Sequence, residues 1–82
     1  MKTITAETID NLAEALEGLE YDVKYFQNLS NLWAEQSPKH ADIHHLEMKS
    51  ARNQKYGFLL ALRYAGIEAE VKARLLDKTK QL

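Results

Sequence analysis

The stretch LEYDVKYFQNLSNLWAEQSP, residues 19–38, decides how this chain folds. Its apolar members are Leu19, Val23, Tyr25, Phe26, Leu29, Leu32 and Trp33. At 100° per residue they cover more than half of a helix circumference, whereas a helix packed on one neighbour needs a stripe of only ~100°. The spacing predicts a helix with two neighbours, or with one neighbour and a partner chain. Four of the chain's seven aromatics (Tyr21, Tyr25, Phe26 and Trp33) lie here, which makes this helix the expected centre of the core. Ser37-Pro38 closes the stretch. Serine suits a helix cap, and proline suits the first helical position, where no amide hydrogen is needed.

Upstream, Thr5 can cap a first helix, with Glu7 and Asp10 placed where the helix dipole favours acids. Ile9, Leu12, Ala13 and Leu16 recur at the helical period, beside an acidic stripe of Glu7, Asp10, Glu14 and Glu17. Gly18 is the expected stop, although one glycine costs only ~1 kcal/mol inside a helix. Downstream, a long helix is expected from Pro38 to Ala65, ~40 Å at 1.5 Å per residue, with Gly57 a candidate kink. Gly66 is its expected C-terminal cap, with Ile67 beyond. Ile43, Leu46, Ser50, Gly57, Ala61 and Tyr64 share one face, whose small members let another backbone come close. Residues 58–62 are apolar all round, which predicts burial on every side or cover by another subunit.

The last segment carries two patterns. Ile67, Ala69, Val71, Ala73 and Leu75 alternate with charged residues as a strand would. Ile67, Val71 and Leu75 also fit a helix, and the alanine, glutamate, lysine, arginine and leucine around them are good helix formers and poor strand formers. Helix is the reading. A strand over 67–75 is the alternative, with residues 1–5 as its only candidate partner. The expected fold is all-α, a small bundle of three to four helices over 6–17, 19–36, 38–65 and 67–78, in one domain spanning 1–82.

Composition bounds the function. The chain has 82 residues, 45% hydrophobic and 28% charged, an ordinary globular usage. With no cysteine it can form neither disulfides nor thiolate metal sites. No apolar run approaches the ~20 residues that span a bilayer, and the start lacks the apolar block of a signal peptide. The expectation is a soluble cytoplasmic protein with no membrane contact. The net charge of −1 hides an asymmetry: residues 1–36 hold seven acids and two bases, whereas residues 37–82 hold nine bases and five acids. Either two complementary halves fold on each other, or the second half offers a basic binding face.

Three groups of residues could carry function. Tyr25, Leu29, Leu32 and Trp33 are candidate partner contacts, because aromatics anchor interfaces. His45, Lys49, Arg52, Tyr56 and Arg63 form a basic band opposite Ile43 and Ala61, suited to a phosphate backbone or an acidic protein surface. His40 and His44 stand at i and i+4, followed by Glu47, and two imidazoles with a carboxylate could hold a divalent metal. The zincin spacing, a nucleophile elbow and a glycine-rich phosphate loop are all absent, and the turn around Gly66 fits a DNA-binding helix-turn-helix poorly, since Leu62 is large where the helices would meet. An enzyme is not expected, and no cofactor is implied. The best-supported expectation is a non-catalytic protein–protein interaction module, a small regulator (inhibitor or adaptor) that binds a larger partner. Its surplus of apolar surface also points to a homodimer. A nucleic-acid-binding regulator using the basic band is the alternative, and a metal-binding helical protein the lesser one.

Overall fold

The computed structural model describes residues 4–80. They form three helices: α1 over Ala6–Trp33, α2 over Pro38–Tyr64 and α3 over Glu68–Lys80. No strand occurs among the described residues, and the segment from Glu68 onward is helical, as composition argued. Of the strand's candidate partner, residues 1–3 lie outside the described residues. No described helix is long and apolar enough to cross a membrane.

The expected break at Gly18 does not occur, and the predicted 6–17 and 19–36 helices are one. Gly18 has negative φ and open space where a side chain would stand. Its cost is only the ~1 kcal/mol of helix propensity, which packing by Ile9, Ala13 and Leu16 on one side and the α2 contact on the other outweighs. Thr5 caps the helix as predicted: its side-chain oxygen accepts from the Thr8 amide at 3.2 Å. The helix ends at Trp33, three residues earlier than expected, where the Ser37 amide donates to the Trp33 carbonyl at 2.8 Å and the chain turns.

Pro38 opens α2 as predicted, but the Ser37 hydroxyl does not cap it. That oxygen lies 2.7 Å from His40 Nδ1 instead. α2 runs through Gly57 and ends in a Schellman turn. Gly66 takes φ 77°, its amide donates to the Arg63 carbonyl, and the Ile67 amide donates to the Leu62 carbonyl, each at 3.0 Å. Leu62 and Ile67, which this turn brings together, are both core residues. The Ile67 carbonyl then accepts from Val71, starting α3.

α1 is the middle helix. α2 returns antiparallel along its length, and α3 packs chiefly on α1 and little on α2. Arg74 pairs with Asp10 at 2.9 Å and Lys78 with Glu14 at 3.3 Å, so α3 runs parallel to the first half of α1. The arrangement is flat, 53 × 29 × 14 Å. Its core sits where all three helices meet: Ile9, Ala13, Leu16, Leu62, Ile67 and Val71, flanked by Leu12, Phe58, Leu59 and Leu75. Beyond the end of α3, α1 and α2 continue as a two-helix arm. There Ala41, Met48 and Ala51 are buried, while Val23, Phe26, Leu29 and Trp33 are only half-buried. The Ser30 hydroxyl ties the arm together by donating to the Ala41 carbonyl at 3.0 Å.

Two expectations about the core are corrected. The aromatic stretch of α1 is not its centre, because α3 is too short to cover that end of α1. Residues 58–62 are not enclosed within the single chain, which removes burial on every side and leaves cover by another subunit as the alternative: Leu62 is buried, Phe58, Leu59 and Leu60 are half-buried, and Ala61 faces outward.

Candidate interaction surfaces

The first surface lies on the second half of α1, from Tyr21, which borders a depression shared with Lys78 of α3, outward to Leu32. Tyr21, Tyr25 and Leu32 fall within a 40° band of the helix, and all three are exposed, Tyr21 to 64% and Leu32 to 68%. The two tyrosine rings stack at 6.0 Å with 15° between their planes, and Phe26 meets Tyr25 edge-on at 5.4 Å. The i, i+4 spacing makes this stack possible, since such residues are neighbours on a helix surface. The stack orders two large amphipathic rings in the free protein. The predicted contact set divides here. Tyr25 and Leu32 stand outward, whereas Leu29 and Trp33 are half-buried. Trp33 stacks on His40 at 5.1 Å, closing the end of the arm where α1 turns into α2. Tyr21 was not among the expected contacts, although its spacing from Tyr25 and Leu32 is the signal that would have found it.

The second surface is the basic band of α2. Lys49, Arg52 and Tyr56 are exposed, and neither Lys49 nor Arg52 forms an ion pair among the described residues. His45 is half-buried. Arg63 is exposed but engaged, its Nε donating to Glu68 at 3.1 Å. Lys72 reaches the other oxygen of Glu68 at 3.2 Å. These hydrogen bonds, from Lys72 first and Arg63 second, hold the Glu68 carboxyl below the usual glutamate range. The acidic stripe of α1 does not face this band. Asp10 and Glu14 pair with α3, and Glu20 pairs with Lys55 at 3.5 Å. The charge asymmetry between the two halves is thus partly spent in folding them together.

The third surface is the far side of α2. Ile43, Leu46, Ser50, Asn53, Gly57, Leu60 and Tyr64 line it in alternating steps of three and four. α1 takes the opposite side, where Ala41, Met48, Ala51 and Leu62 are buried. All seven are exposed except the half-buried Leu60, with Leu46 at 64% and Tyr64 at 86%.

The candidate ligands His40, His44 and Glu47 are not brought together as one set. Among the described residues, no three His, Cys, Asp or Glu side chains are grouped to hold a metal ion. His44 Nδ1 lies 3.0 Å from Glu47 Oε1, but His40 is turned away onto Trp33 and Ser37. The i, i+4 spacing put His40 and His44 on adjoining faces, and the local partner of each then drew the rings apart. A depression lined by Glu14, Glu17, Gly18, Tyr21, Asp22 and Lys78 among others is an open surface feature rather than an enclosed site.

Comparison with protein-family models, with curated proteins and with solved structures finds no match to this chain.

Proposed function

We propose that this protein is a non-catalytic protein–protein interaction module, a cytoplasmic regulator that acts as an inhibitor or adaptor by binding a larger partner through the outer stripe of α1. One observation carries the reading: Tyr21 and Tyr25, stacked on each other, and Leu32 two turns further along share one face of α1 and are left exposed. Scattered exposed apolar residues need no explanation, but aligned aromatics with a leucine are the composition of an interface anchor. A helix that presents such anchors at one face suits docking into an apolar groove.

The test compares two tagged proteins in source-cell lysate, the wild type and Tyr25→Glu/Leu32→Glu. Both substituted residues are exposed, so the variant keeps its helical circular dichroism. A stoichiometric protein that survives nuclease and moderate salt, and that the variant loses, supports the reading. A partner retained by the variant refutes it.

The second reading, a nucleic-acid-binding regulator, rests on the exposed Lys49, Arg52 and Tyr56 of α2. It requires binding that falls steeply with salt and is lost in Lys49→Glu/Arg52→Glu. Recovery that vanishes on nuclease treatment would favour it.

A further inference from the structure

The steps of three and four along the far side of α2 are those of a helix that packs on another helix over three heptads, with Ile43, Ser50, Gly57 and Tyr64 at one core position and Leu46, Asn53 and Leu60 at the other. α1 already occupies the opposite side, so this is a second packing seam without a partner in the single chain. We propose that its occupant is a second copy of this chain, docked antiparallel through α2 about a two-fold axis level with residues 51 and 52.

Charge and size complementarity select that arrangement. In this antiparallel pair the residues of one kind meet those of the other, and the fourth member of the first kind, Tyr64, falls beside the partner's Lys39. With Ser50 beside the partner's Asn53, the polar residues share the central layers and can hydrogen-bond across them. Leu46 then fills the space beside the partner's Gly57, and Ile43 meets the partner's Leu60. At the flanks Asp42 comes beside the partner's Arg63, Lys49 beside the partner's Tyr56, and Glu47 beside the partner's Gln54. Symmetry repeats each contact, giving two opposite-charge pairs and no like-charge pair.

The competing alignments fail on the same criteria. A shift of one heptad in one direction sets Lys49 beside the partner's Arg63 and buries Ser50 against the partner's Leu60. A shift in the other direction sets Lys49 beside the partner's Lys49 and Asn53 against the partner's Ile43. A parallel pair sets Asp42 beside the partner's Glu47 and leaves Gly57 facing the partner's Gly57, a void. Flanking charges of this kind decide orientation and register in paired helices. Arg63 can serve both roles, since its Nε holds Glu68 and its terminal nitrogens remain for the partner's Asp42.

The inference does not rest on the tyrosine stripe of α1, and its test leaves that stripe unchanged. Sedimentation equilibrium from micromolar to millimolar protein is expected to show a reversible dimer for the wild type and a monomer for Leu46→Glu, with helical circular dichroism unchanged. Asp42→Arg and Arg63→Asp are each expected to weaken the dimer about tenfold, and the double swap to restore it. The two positions lie about 32 Å apart along one helix, so restoration acts between chains. Loss of the Glu68 contact is common to the single Arg63→Asp and the double swap and does not mask it. Because the chain has no cysteine, orientation can be read by oxidation: Leu46→Cys/Gly57→Cys is expected to give covalent dimers and Leu46→Cys alone is not. A monomer at every concentration, a dimer indifferent to Leu46→Glu, or cross-linking by Leu46→Cys alone would overturn the proposal.

Discussion

Gly18 is the position where the continuity of α1 can be tested most directly. It sits in mid-helix with negative φ, and a Cβ built on it meets no atom within 4 Å. Gly18→Ala therefore adds no clash and removes only the conformational freedom that glycine carries in the unfolded chain. The gain is the glycine-to-alanine difference in a helix interior, roughly 0.8–1.0 kcal/mol. For a chain of this length that corresponds to a rise in Tm of about 4–8 °C. Gly66→Ala is the matched control. It too has open space around it, but its φ is 77°, where an L-residue is disfavoured by roughly 1–2 kcal/mol. Thermal melts followed by circular dichroism at fixed, low protein concentration should move in opposite directions for the two variants. A fall in Tm for Gly18→Ala would mean that the chain bends at residue 18 or that another element closes on it. The single-helix account of α1, and the place of the tyrosine stripe on its second half, would then fail together.

Two further outcomes follow from local geometry. Glu68 is held below its ordinary pKa of about 4.3 by Lys72 and Arg63, so the folded chain binds that proton less tightly than the unfolded chain. Its contribution is fully present above the unfolded value and disappears as pH falls through the lower folded one. Melts of wild type and Glu68→Gln should accordingly differ near neutrality and converge in acid, and a gap independent of pH would contradict the assignment. Gly57→Ala should raise the Tm of the monomer much as Gly18→Ala does, because it has the same open space. It should also weaken self-association in sedimentation, since the added methyl group crowds the partner's Leu46. An equal gain in both measurements would argue against that contact.

The sequence disclosed the local events and concealed the long-range ones. The Ser37-Pro38 start and the Gly66-Ile67 stop are set by backbone chemistry within a few residues, and both stand where the residues place them. The helical choice for Glu68–Lys80 likewise follows from composition, against a tempting alternation. Gly18 was misleading because a ~1 kcal/mol local penalty is smaller than the tertiary packing on either side of it. The weight given to Tyr21, Tyr25, Phe26 and Trp33 as core misled for a different reason. Burial of a helix face depends on how far its neighbours extend, and α3 spans only the first half of α1. The same fact explains the candidate sites. Spacing showed that Tyr25 and Leu32 are apolar, and only the length of α3 left them uncovered. Spacing also placed His40 near His44, but the Trp33 ring and the Ser37 hydroxyl, brought close by the turn between α1 and α2, took His40 for themselves.

Because α3 supports only one end of α1, resistance to opening is graded along the molecule. Amide hydrogens near Leu16 and Val71, whose side chains are fully enclosed, exchange through the rarest openings. Those of the two-helix arm, where Met48 is enclosed but Val23, Phe26, Leu29 and Trp33 are half-buried and α3 gives no cover, exchange through smaller and more frequent ones. On the proposed reading the binding surface stands on the softer end. A partner that grips Tyr25 and Leu32 would slow exchange there first, and part of its affinity would go into quieting that motion. Substitutions that stiffen the arm, without touching the partner, would then tighten the complex chiefly by lengthening its lifetime.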